Sequence, residues 1–199
     1  MLDLENKAFC ILGLPNSGKS TLACYLLNQF GSQAFIYDTL SEYPDQPFDS
    51  YVPKDRTSSA ELEKVLRVAW HKYKLIVIDE ANRFCPPKPS PLPWAVQDLN
   101  DWRAHMGVSI GYIARRPVQL NTDLIELCDY VFLFRLRGKN DCQYLNDLRA
   151  GLGDAVAELG LYHFIVLDSA REFKVFQPIP GKFKTDKTTH FEDKQDLTT

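Results

Sequence analysis

Residues 13–20 read Gly-Leu-Pro-Asn-Ser-Gly-Lys-Ser, and Thr21 follows. Two glycines, a proline, a lysine and two hydroxyls follow an apolar run, 7–12, and the last of them open a helix-forming run, 18–30. The spacing is that of a phosphate cradle, G-x-x-x-x-G-K-[ST], and it lies between a strand and a helix as that motif demands. Glycine lets the backbone curl until several N–H groups point inward, and the start of the helix adds the positive end of its dipole. Gly13, Leu14, Pro15, Asn16, Ser17, Gly18, Lys19, Ser20 and Thr21 are therefore the candidate nucleotide-binding residues. In this reading Lys19 reaches the β- and γ-phosphates of ATP and the Ser20 hydroxyl ligates Mg2+.

Such a loop needs an acid to hold the metal. Asp79 directly follows the apolar residues Leu75, Ile76, Val77 and Ile78, and Glu80 comes next. An acid there stands at the carboxyl end of a buried strand, where parallel α/β sheets bind their ligands. Asp79 is the candidate metal ligand, and Glu80 the candidate base that takes a proton from the attacking water. A third apolar run, 108–114, ends in Arg115, Arg116 and Pro117. Guanidinium groups at that end of the sheet can stabilise charge on a γ-phosphate or report its loss. Glu80, Lys19, Arg115 and Arg116 form the candidate catalytic set.

The elements that must position these residues alternate. Strands are predicted over 7–12, 34–39, 74–84, 108–115 and 130–136, with helices over 18–30, from 58 or 59 to about 70, from 94 to 104, and around 141–150. A short helix precedes the strand at 130. The connection 41–57 reads as polar and irregular, and residues 85–93, rich in proline, cannot be regular structure. Two last strands, 163–168 and 172–178, form a hairpin about residues 169–171. The fold class expected is α/β: a mostly parallel sheet flanked by helices, closed by a C-terminal antiparallel hairpin. One domain is expected over 1–181, followed by a polar, disordered tail at 182–199. Pattern alone does not order the strands.

Composition narrows the classes. The 199 residues are 45% hydrophobic, enough for a sizeable core, while no apolar run approaches the length of a membrane span. The first ten residues carry acids and lack a signal peptide's basic start, so a cytoplasmic setting is expected. Five scattered cysteines without a Cys-x-x-Cys pair argue against a disulfide framework or a zinc site. A formal net charge of −3 excludes a broad cationic field. Nucleic acid would have to be met by a local patch or an assembled ring.

These motifs together resemble the HerA–FtsK superfamily of P-loop ATPases, in particular its compact viral genome-packaging members. The resemblance covers residues 7–145 and rests on the phosphate loop, on "LIVIDEANRF", on "GVSIGYIARRPVQLNTDLIELCDYVFLFRL" and on the "RGKND" that follows. It implies a RecA-like core and a ring, hexameric or pentameric, that threads double-stranded DNA at the cost of ATP. It also implies a capsid vertex as a partner and an arginine supplied by the neighbouring subunit. Arg83, Arg103, Arg135 and Arg137 are the candidates for that arginine. Arg83, Lys88, Arg137 and Lys139, on two basic loops, are the candidate DNA contacts. The family's polar sensor is usually a glutamine where this chain has Arg115, which can donate hydrogen bonds but not accept them.

Rival readings differ in what else they require. A nucleotide or nucleoside kinase needs an acceptor pocket and an arginine-rich lid, for which the 41–57 connection offers space. A zonular-occludens-toxin-like phage assembly ATPase normally carries a membrane anchor. A GTPase should carry Asn-Lys-x-Asp and an ABC-type ATPase Leu-Ser-Gly-Gly, and neither motif is present.

Overall fold

The computed structural model describes residues 3–180. The expected tail, 182–199, lies outside the described residues. Eight strands form one sheet in the order β3-β2-β4-β5-β1-β6-β7-β8. In chain order these are β1 (Ala8–Leu12), β2 (Ala34–Tyr37), β3 (Asp49–Tyr51), β4 (Leu75–Ile78), β5 (Ser109–Ala114), β6 (Tyr130–Phe134), β7 (Phe164–Asp168) and β8 (Phe173–Phe176). The first six run parallel, and β7 and β8 are antiparallel. The phosphate-loop strand β1 sits between β5 and β6, with β4 one strand beyond β5. Parallel pairing brings the carboxyl ends of all these strands to one edge, so the loops after β1, β4 and β5 meet there.

The period of two divides the core. Ala8, Cys10 and Leu12 face one side with Ile76 and Ile78, and Phe9 and Ile11 face the other with Leu75 and Val77. The first side is covered by α2 (Ser59–Ala69), α3 (Trp94–Met106), α4 (Thr122–Glu126), α5 (Lys139–Leu148) and α6 (Leu152–Ala157), which supply Leu62, Val96, Leu124, Leu145 and Val156. The second is covered by α1 (Lys19–Asn28) through Leu22, Ala23, Leu26 and Leu27. Burial on both faces is why the strands read as continuous apolar runs rather than alternating ones. Where β1 meets β5, a side chain at Gly111 would run into the Phe9 ring.

The predicted helix cap at Ser58 is present: its hydroxyl accepts the Glu61 N–H at 3.1 Å. Three elements correct the sequence reading. The strand expected over 74–84 stops at Ile78, and Ala81–Arg83 form a 3-10 turn after Glu80 takes left-handed backbone. The 41–57 connection contains β3, a short, mostly exposed strand whose Asp-Ser-Tyr sequence carries no strand signal and which forms because β2 offers it a free edge. The glycine-punctuated stretch before 160 contains α6, whose Gly153 packs its bare Cα against the Cys142 carbonyl of α5. No helix among the described residues is long and apolar enough to cross a membrane.

Candidate nucleotide site

Gly13 leaves β1 where a Cβ would come within 2.7 Å of the Phe134 Cβ, so only glycine lets the loop turn there. Asn16 and Gly18 take left-handed backbone, with φ of 61° and 109°, and Gly18 caps α1. The loop curls over the start of α1, and Lys19 folds back to donate to the Leu14 carbonyl at 3.0 Å. Burial pulls the Lys19 ammonium below its ordinary pKa, against the opposing pull of Glu80, Asp79 and Glu42.

Across the cleft, Asp79 and Glu80 follow β4. Asp79 is 4% exposed, and its Oδ2 is buried with no hydrogen-bond partner. Burial, with Glu80, Glu42 and Asp38 nearby, pushes its carboxyl up to about 7. Glu80 holds left-handed backbone at φ 50°, a conformation costly for a residue with a side chain and concentrated at functional sites. Its carboxylate accepts from Arg115 Nε at 3.1 Å and lies 3.8 Å from Arg83 Nε. A cleft of about 450 Å3 joins these groups, lined by the phosphate loop, Asp79, Glu80 and Arg115 and closed by Phe134, Tyr162, Pro178 and Ile179. That size falls in the range of small-molecule sites, with polar groups converging beside an apolar wall.

Arg115 and Arg116 part company, because successive residues at a strand end point to opposite faces. Arg115 enters the cleft. Arg116 donates to Asp141 Oδ2 at 2.8 Å, a carboxylate 2% exposed in the first turn of α5. The other arginine candidates also separate. Arg103 binds Asp129 at 3.2 Å at the opposite edge of the sheet, and Arg135 reaches the Leu159 carbonyl at 3.5 Å. Arg137 and Lys139 are exposed, while Lys88 pairs with Asp123 at 2.7 Å.

One acid in the cleft was not singled out by the sequence. Glu42, in the connection after β2, accepts the Ser20 hydroxyl at 2.7 Å. It shares that connection with Asp45, Asp49 and Asp55, and neither type nor spacing distinguishes it. Its position at the carboxyl end of a parallel strand was the available signal.

Comparison with solved structures identifies the architecture. The genome-packaging NTPase B204 from Sulfolobus turreted icosahedral virus 2, in complex with ATP-gammaS, superposes with a TM-score of 0.75 at 20% identity, over 87% of this chain and 98% of that one. The fold is shared. The DNA-packaging ATPase B204 from Sulfolobus turreted icosahedral virus agrees at a TM-score of 0.74 and 17% identity, over 89% of this chain and 100% of that chain. The N-terminal domain of zonular occludens toxin from Neisseria meningitidis follows at 0.54 and 14%, over 87% and 95%. No protein-family model matches the chain, and no curated protein matches its sequence. At these identities the B204 likeness is one of fold: a P-loop NTPase sheet with an antiparallel hairpin, as the motifs led us to expect.

Proposed function

We propose that this protein hydrolyses ATP and uses the energy to translocate double-stranded DNA, packaging a viral genome into its capsid. The observation that carries the reading is the Asp79–Glu80 pair, set at the end of β4 across one cleft from the phosphate loop. The backbone N–H groups of 13–20 and Lys19 bind the triphosphate, with Lys19 exchanging the Leu14 carbonyl for phosphate oxygens. Phe134, Tyr162, Pro178 and Ile179 support the base.

The residues present fit a magnesium ion: a hydroxyl at Ser20 and a buried, unpartnered carboxylate oxygen at Asp79. Among the described residues no three acidic, histidine or cysteine side chains could hold a metal by themselves, so Ser20 and Asp79 would hold the ion together with oxygens that the nucleotide and water would supply. When bound, it neutralises charge on the β- and γ-phosphates. Glu80 takes the proton of the attacking water as oxygen adds to the γ-phosphorus and the bond to ADP breaks. Arg115, held against Glu80 before nucleotide enters, faces the charge that develops on the γ-phosphate.

A ring of subunits would concentrate positive charge from the loops bearing Arg83, Lys88, Arg137 and Lys139 around a pore, although each chain carries −3. Exposed Arg137 is the candidate best placed to reach a neighbour's nucleotide, whereas Arg103 is committed to Asp129. Hydrolysis measured with and without duplex DNA tests the reading. Duplex should stimulate turnover several-fold. Turnover that instead requires a small phosphoryl acceptor would replace it with a kinase.

A further inference from the structure

Glu42 reaches the phosphate loop through a built piece of chain. After β2, the buried Asp38 carboxylate accepts the N–H groups of Glu42 at 2.9 Å and Tyr43 at 3.1 Å. Thr39 donates its hydroxyl to the Asp79 carbonyl at 2.8 Å. Ser41 holds left-handed backbone, φ 58°, to complete the turn. Residues 38–43 are thus stapled to the end of β4, and the staple aims Glu42 at Ser20. Tyr43, 1% exposed, packs its ring against Phe48 and anchors the turn beside Ser20 and Asp79.

The arrangement is selective about the Ser20 hydroxyl. A hydroxyl has one proton to donate and two lone pairs to offer. With its proton given to Glu42, the oxygen keeps its lone pairs for a cation, and the negative partner increases its donor strength. Asp79 meanwhile keeps an oxygen without any partner. The two acids therefore divide the work: one offers itself to the ion, and the other orients and polarises the hydroxyl that binds beside it. Glu42 also adds negative charge to a cleft that already holds Asp79 and Glu80, which repels a bare triphosphate and favours one that arrives with its cation.

We infer that Glu42 is a positioning residue for the divalent cation of the nucleotide, acting through the Ser20 hydroxyl. The inference rests on the reading of the cleft as an ATP site and names a residue beyond the phosphate loop and the Asp79–Glu80 pair. Glu42→Gln keeps the shape and removes the charge. The test is binding of a non-hydrolysable ATP analogue to the full chain, titrated with magnesium and repeated in EDTA. Outer partners of metal ligands typically contribute ~10- to 100-fold to metal affinity. The magnesium concentration for half-maximal nucleotide binding should rise ~10-fold in Glu42→Gln, with binding in EDTA unchanged or tighter. A loop that merely shapes the cleft would weaken binding equally in both conditions, and that result, or an unchanged magnesium midpoint, overturns the inference. If the glutamine variant does not fold, Glu42→Asp gives the same readout, since it keeps the charge but shortens the reach. A wild-type midpoint in that variant overturns the inference. Wild-type protein that binds no nucleotide under any condition defeats the ATP site itself and the inference with it.

Discussion

Two aspartates at opposite edges of the sheet have opposite fates. Asp129, just before β6, accepts the Ala8 N–H at 2.8 Å and pairs with Lys7 and Arg103, each at 3.2 Å. Burial pushes its carboxyl up, but these three partners outweigh it and hold the group below its ordinary pKa. Asp79, just after β4, is more buried and has an oxygen with no partner, and its carboxyl rises to about 7. A chain able to satisfy one carboxylate so fully has left the other unsatisfied at the edge where ligands bind. Satisfied charge holds structure together, whereas a buried carboxylate left without a partner is what a functional site requires.

The largest effect is expected at the phosphate loop: Lys19→Ala should lose ATP turnover by at least ~100-fold without unfolding, measured as hydrolysis beside a thermal melt. Unchanged nucleotide affinity and rate would remove the function assigned to this whole edge. Glu80→Gln should lower turnover by roughly 100-fold or more while nucleotide binding persists, and undiminished hydrolysis would discredit the base.

The aspartates themselves should then behave inversely. Asp129→Asn should cost about 1–3 kcal/mol of stability in denaturant melts and leave nucleotide binding intact. Asp79→Asn should leave stability unchanged or raised, because it removes a buried charge, and should abolish magnesium-dependent binding. Equal destabilisation by both would mean that Asp79 is structural.

The smallest effect is in pH. Between about 4 and 7 the folded protein keeps a proton on Asp79 that the unfolded chain has lost, so this group makes stability fall as pH rises across that window. Asp129 acts in the opposite sense, lending stability that disappears as pH falls through its lowered pKa. Subtracting the Asp79→Asn melting curve from the wild-type curve at each pH should expose the downward slope. A flat difference would show that the carboxyl titrates normally.

Much of this edge was legible in the residues themselves. A phosphate loop is a local object: Gly13, Gly18 and Lys19 do their work within one turn, so their spacing is sufficient to recognise it. Asp79 and Glu80 were legible because "LIVI" can only be a buried strand here and its end is a defined place. The hairpin of β7 and β8 was equally local, set by the turn between two apolar runs. β3 and α6 were not legible, because each exists through what it docks against: β3 through the edge of β2, α6 through α5.

Residue types and spacing by themselves determined that a glycine-rich loop with phosphate-cradle spacing opens the chain between a strand and a helix, that paired acids follow a later strand, and that strands and helices alternate between them. Only the tertiary structure decided that β1 lies between β5 and β6, that Arg115 enters the cleft while Arg116 is drawn to Asp141, and that Glu42 reaches Ser20 from 22 residues away. Contacts within a turn are dictated by bond geometry, which the local order of residues encodes. Contacts between distant segments depend on how whole layers pack, and no stretch of chain contains that information alone.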